Sequence, residues 1–148
     1  MAIAIFHKID NSFHKAFDTQ ALVDEYGYNN AELFISQSIS DDEWNKIKNG
    51  THTPNEINTE TSIIDWVEYN VIPKTEDQFK IEVSAIIGKL EKLENNSRRG
   101  HSQETKFFNY KKALELIDYS SITFPLASTL EQYMNSQGHA VVCTHEIP

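Results

Sequence analysis

The chain has one cysteine, five glycines and four prolines in 148 residues. A lone cysteine closes no intramolecular disulfide, which suits a reducing compartment and leaves the fold to be held by packing. Five glycines offer little backbone to cradle a nucleotide. Glycine-rich phosphate loops, Gly-x-Ser-x-Gly elbows and kinase signatures are missing. So are the paired-cysteine and His-x-x-x-His spacings of zinc sites. Long hydrophobic runs are missing too. No stretch approaches the ~18 uncharged apolar residues that span a bilayer, and the apolar start "MAIAIF" is cut short by Lys8 and Asp10, too early for a secretory leader. These absences lead to the expectation of a soluble cytoplasmic protein with no cofactor and no membrane partner.

Positive charge is also scarce. Thirteen Lys and Arg stand against 22 Asp and Glu, a net charge of −9. The deficit is concentrated: residues 1–73 hold 12 acids and 4 bases, whereas 74–148 hold 10 acids and 9 bases. An anionic surface repels nucleic-acid phosphates and anionic lipids, and it accelerates encounter with basic partners. The basic doublets Arg98–Arg99 and Lys111–Lys112 are not interleaved with aromatics, so direct nucleic-acid binding is not expected.

What is present suits a packed core. Hydrophobic residues make up 39%, and 8 Phe, 6 Tyr and 2 Trp are spread along the chain. A chain this long buries roughly 68–70% of its unfolded surface, so one globular domain over 1–148 is expected. "AIAIFHKI" alternates as a strand. "FDTQALVDEYG" reads as a helix capped by Asp18 and stopped at Gly27. "NNAELFISQSI" fits either a strand or, preferentially, a short helix. "ISDDEWNKIKNG" carries a capping box, Ser40 with Glu43, and an Ile39–Trp44 staple. "THTPNEINTET" reads as a polar loop holding His52, and "SIIDWVEYNV" as a helix ending before Pro73.

The strongest periodic signal follows. Thr75 and Gln78 form a second capping box, and Phe79, Val83, Ile86, Ile87, Leu90 and Leu93 trace one stripe of a helix over about 76–94. A mobile loop is expected over 95–104. A helix then covers about 103–119, with Phe107, Tyr110, Leu114 and Ile117 inside. A last helix begins with Pro125 in its first turn and ends at Gly138. The fold class is therefore α+β, predominantly helical, with five or six helices packed on a small sheet. That sheet is formed by the N- and C-terminal strands pairing with each other, or with "ELFIS" if that segment is extended.

The final stretch, "GHAVVCTHEI", offers the sharpest chemistry. On a strand, Cys143 and His145 lie about 6.6 Å apart on one face, close enough to share a metal whose bonds run about 2.0–2.3 Å. His7 on the first strand is the candidate third ligand. Against this, Val141, Cys143 and Ile147 make the same face apolar, and unpaired cysteines are commonly buried. Cysteine catalysis needs a thiol pKa lowered by an imidazolium or a helix N-terminus, and Cys143 follows a helix C-terminus instead.

Two function classes result. The leading expectation is a small acidic binding protein, concretely an inhibitor or immunity-type protein. It would cover a basic, nucleic-acid-handling partner such as a nuclease toxin. Its surface is sought among Asp41, Asp42, Glu43, Glu56, Glu60, Asp65 and Glu68, with Trp44, Trp66 or Tyr69 as anchors. The alternative is a small metal-binding or cysteine/histidine-dependent enzyme using His7, Cys143 and His145. A subunit of a larger assembly is a plainer third reading, and oligomeric state is left open.

Overall fold

A computed structural model describes residues 1–95 and 104–147. Most of the loop expected over 95–104, with Arg98, Arg99 and His101, lies outside the described residues. The chain groups into two compact units. One is Met1–Tyr69 and the other Asn70–Ile147. Together they hold five α-helices and two small antiparallel sheets among the described residues, an α+β fold.

The first unit is mostly β. Its three-stranded sheet has the order β2-β1-β3, from Phe13–Phe17, Ala2–His7 and Phe34–Ile39. β1 is central, and residues 2–6 are all buried, so both of its faces are covered. On one face Ile3, Ile5 and Phe17 pack with Leu22 and Val23 of α1, Gln20–Glu25. The α1 cap is Thr19, whose Oγ1 accepts from Leu22 N–H, rather than Asp18. Gly27 takes φ +82, the left-handed stop. β3 pairs antiparallel with β1 through "FISQSI", correcting the helix preferred for that segment and matching the strand option. Alternating Phe34, Ser36 and Ser38 against Ile35, Gln37 and Ile39 suits a pleat better than a helical stripe.

α2, Asp41–Lys48, is built as its sequence prescribes. Ser40 Oγ accepts from Glu43 N–H at 3.2 Å, and Glu43 Oε1 accepts from Ser40 N–H at 3.0 Å. Trp44 and Ile47 are its buried face, and it packs against β4, His52–Asn58. β4 and β5, Ile63–Glu68, form a two-stranded antiparallel sheet. This overturns the loop expected over 50–60 and the helix expected over 62–71. Asn58 Oδ1 accepts from Glu60 and Thr61 N–H, and Ser62 takes φ +57, so "NTETS" is the hairpin turn. The Ile-, Val- and Trp-rich run after it has strand propensity that a helical period disguises.

The second unit is helical. α3 spans Glu76–Asn95, and the Thr75–Gln78 capping box forms as expected. Phe79, Val83 and Leu90 are buried, with Ile86, Ile87 and Leu93 half-buried beside them. α4 spans Glu104–Glu115, shorter than expected, and buries Phe107, Tyr110 and Leu114 while packing on α3. Lys111 ties the pair, bonding Glu94 at 2.8 Å with Glu91 and Glu115 nearby. α5, Leu130–Ser136, starts at a Thr129–Gln132 capping box, not at Pro125, which follows a cis peptide bond. Gly138, φ +83, ends it.

The C-terminal strand does not form, and the sheet expected from the two chain ends is replaced by the two sheets of the first unit. Val141, Val142 and Cys143 are buried consecutively, and 144–146 turn into a short 3-10 helix. A half-buried strand alternates its exposure, and this segment does not. The fold is accordingly less dominated by helix than expected. No helix among the described residues is long and apolar enough to cross a membrane.

Candidate functional site

All seven carboxylates singled out in the sequence belong to the first unit, which carries 12 acids and 4 bases. They do not form one cluster on one element. Asp41, Asp42 and Glu43 occupy the first turn of α2, where the helix dipole favours them. Glu43 is committed to the capping box and half-buried. Glu60 sits in the β4–β5 turn with its N–H on Asn58. Glu68 lies opposite His52.

Glu56 and Asp65 are brought together. They are directly paired across β4 and β5, on the side facing away from the paired Pro54–Trp66 and Ile57–Ile64. The cause is a β-bulge. The register shifts between Pro54 and Glu56, leaving Asn55 as the extra residue. Without it Asn55 would face Asp65. Instead Asn55 Nδ2 donates to Asp65 Oδ2 at 3.3 Å, and a second carboxylate stands opposite. Among the described residues neither Glu56 nor Asp65 has a cationic partner at ion-pair distance.

Around this pair the surface is apolar. Ile63 is 66% exposed, Val67 38% and Tyr69 53%. These positions alternate with Asp65 along one side of β5. Of the three expected anchors, Trp44 is buried in the core with Lys48 Nζ 5.7 Å from its ring centroid. Trp66 is half-buried under Lys46 at 6.0 Å. Tyr69 is the exposed one.

The Cys143–His145 reading meets a different environment. Cys143 is 1% exposed and caps the final 3-10 turn, its N–H donating to Glu146 Oε2 at 2.8 Å. Burial, with the nearby Glu146 charge, pushes the thiol pKa far up, so the thiolate is suppressed. His145 lies inside the same turn, not two positions along a strand. Glu146 itself is buried and pairs with Lys106 of α4 at 2.8 Å. Beside it Tyr110 is fully enclosed, and burial raises its phenol pKa, as do the Glu131, Glu146 and Glu82 charges. Among the described residues no three His, Cys, Asp or Glu side chains gather as a metal-holding group.

One grouping escapes sequence reasoning. His7 and His14 lie with ring centroids 4.4 Å apart and their planes tilted by 45°, and Phe34 lies nearly parallel to His14 at 5.7 Å. Tyr28 closes the group edge-on. A bulge again sets the geometry. The β1–β2 register shifts between Ile5 and Phe6, so Lys15 faces Ile5, Phe13 faces Phe6, and His14 is the extra residue. Desolvation, reinforced by His7 and Lys15, lowers the His14 pKa below its usual 6.5. Only the sequence proximity of two strand histidines signalled it.

Comparison of the chain with protein-family models, with curated protein sequences and with solved structures finds no match.

Proposed function

We propose that this chain is a protein-binding module whose acidic first unit docks a basic protein partner. The observation that carries the reading is the unneutralised Glu56–Asp65 pair within an exposed apolar frame of Ile63, Val67 and Tyr69. Like charges directly opposed on a sheet weaken it, so the pair is a cost in the free protein that a cationic partner relieves. Apolar surface beside charge supplies affinity, and the charge supplies rate and selectivity. The concrete form we favour is an inhibitor or immunity-type protein that covers the basic site of a nucleic-acid-handling enzyme, such as a nuclease toxin. We assign it to the reducing cytoplasm on the strength of its single, unbridged cysteine. Chemistry at His7, Cys143 and His145 is not favoured, because the Cys143 thiol is enclosed and held protonated.

The test is capture of basic proteins from a cell extract at low and high salt, using wild type and the Glu56→Lys/Asp65→Lys variant. Each captured nuclease is then assayed for inhibition. The reading expects capture that is weakened by salt and lost in the variant, with a slower on-rate as the main change. Partners that bind wild type and variant alike, or at any salt, sink it.

A further inference from the structure

The same hairpin offers a specific mode of docking. β5 is hydrogen-bonded to β4 on one side only. The far side of β4 is occupied, since Ser12 bridges to Glu56 and Ile57 N–H donates to Asn11 O. No second strand pairs with β5 among the described residues, so its outer edge is open.

The direction of its backbone groups follows from one bond. Tyr69 N–H donates to Thr51 O at 2.9 Å, continuing the β4–β5 ladder. Alternation then turns the N–H and C=O of Val67 toward β4 and those of Trp66 and Glu68 toward the open edge. Natural edge strands are blunted by lysine, proline, bulges or brevity. β5 has six residues, no lysine and no proline, and the bulge of the hairpin lies in β4. It carries exposed Ile63 and Val67 beside its edge. What protects it is acid: Asp65 and Glu68, with Glu56 across the pair.

That chemistry selects the occupant. Two copies of β5 pairing with each other would bring their carboxylates together, which opposes self-association. A strand with a cation at the right position gains on both counts.

We propose that an extended basic segment of the partner adds to β5 as a third strand. A Lys or Arg faces Asp65 and Glu56, with apolar residues two positions to either side against Ile63 and Val67. Main-chain bonds to Trp66 and Glu68 supply affinity and the alternating side chains supply specificity. The inference rests on the acidic-face reading above and adds the way the partner is held.

The probe is the synthetic peptide acetyl-Thr-Val-Thr-Lys-Thr-Val-Thr-amide, titrated into the isotope-labelled full chain and followed by amide NMR shifts and hydrogen exchange. The expected result is saturable binding, shifts concentrated on 63–68, and slowed exchange at the Trp66 and Glu68 amides. A peptide with Glu replacing Lys should bind at least tenfold more weakly. Glu68→Pro, which removes an outward N–H but no ladder bond, should bind at least tenfold more weakly than Glu68→Gln, which loses the same charge and keeps that N–H. If Glu68→Pro fails to fold, wild type is titrated with the peptide N-methylated at alternate residues, in both phases. One phase should abolish binding and the other should not.

Equal affinity for Glu68→Pro and Glu68→Gln, or tolerance of both methylation phases, overturns strand addition and leaves the acidic face to side-chain contacts alone. Failure of the peptide to bind overturns strand addition too, while the acidic-face reading stands or falls by the salt-dependent capture. Self-association of the unliganded chain that Glu68→Pro abolishes gives the edge to a second copy and overturns the proposal.

Discussion

Glu56 and Asp65 face each other across β4 and β5, two carboxylates in direct register because Asn55 bulges out between Pro54 and Glu56. A two-stranded sheet is marginal by itself, and this one carries a repulsive pair at its middle. Its stability comes from its inner side, where Ile57 is buried and α2 packs on β4. On the outer side Glu56, Ile63, Asp65 and Val67 are left exposed.

Relieving that repulsion should stabilise the free protein and damage docking. Glu56→Thr is expected to raise the thermal midpoint, corresponding to roughly 0.2–1 kcal/mol. It should also slow association with a basic partner. Differential scanning calorimetry and association kinetics on the same sample check both halves. A loss of stability would mean that Glu56 has a structural role.

The acids of α2 should behave differently from those of the hairpin. Ser40→Ala removes the hydroxyl that accepts from Glu43 N–H and should cost about 1 kcal/mol. Reversing Asp41, Asp42 and Glu43 should likewise lower stability, through the cap and the helix dipole, before any effect on binding is counted. Chemical denaturation of the two variants measures this directly.

The His7–His14 contact should make the first unit acid-sensitive. His14 is held below its usual pKa of 6.5, chiefly by desolvation. The unfolded chain therefore takes up this proton more readily than the folded one. The contribution is complete above about pH 6.5 and falls away as pH drops through that value toward the lower folded pKa. His14→Phe should flatten the stability profile there, and titration of the His14 ring by NMR should show a midpoint below 6.5.

In the second unit, Lys106 neutralises a buried carboxylate. Lys106→Met leaves Glu146, with 6% of its side chain exposed, without that cation. The expected loss lies toward the lower end of roughly 3–5 kcal/mol, because Lys106 keeps some contact with water. Glu146→Gln/Lys106→Met should recover part of it, since no charge is then stranded. Urea denaturation of the single and double variants separates the two cases.

Cys143 should be chemically silent while the protein is folded. Its thiol is enclosed and its pKa is raised, so a thiol-specific alkylating reagent should label the native chain far more slowly than the denatured one. Rapid native labelling would reopen the possibility of chemistry at this residue. Mass spectrometry of timed aliquots reads the outcome.

Much of this fold is written in short-range signals. The capping boxes Ser40–Glu43 and Thr75–Gln78 depend on groups three residues apart, and both form where the sequence puts them. The α3 stripe, the left-handed stops at Gly27 and Gly138, and the first strand are local in the same sense. The concentration of acid in the first half is a matter of composition, and it reappears as the charge of the first unit.

The rest was decided at long range. Ile63, Ile64, Trp66 and Val67 satisfy a helical stripe as well as a strand, and only pairing with "HTPNEIN" resolves them into β5. "AVVC" has strand propensity but pairs with no strand among the described residues; it is buried as an irregular segment, and its suggested Cys–His face does not form. The two bulges carry the point furthest. His14 joins His7, and Glu56 meets Asp65, because one residue is extra on one strand of each pair. A strand's own residues determine that its side chains alternate. Which of them face a given neighbour depends on the register with another part of the chain, and that is a property of the tertiary structure alone.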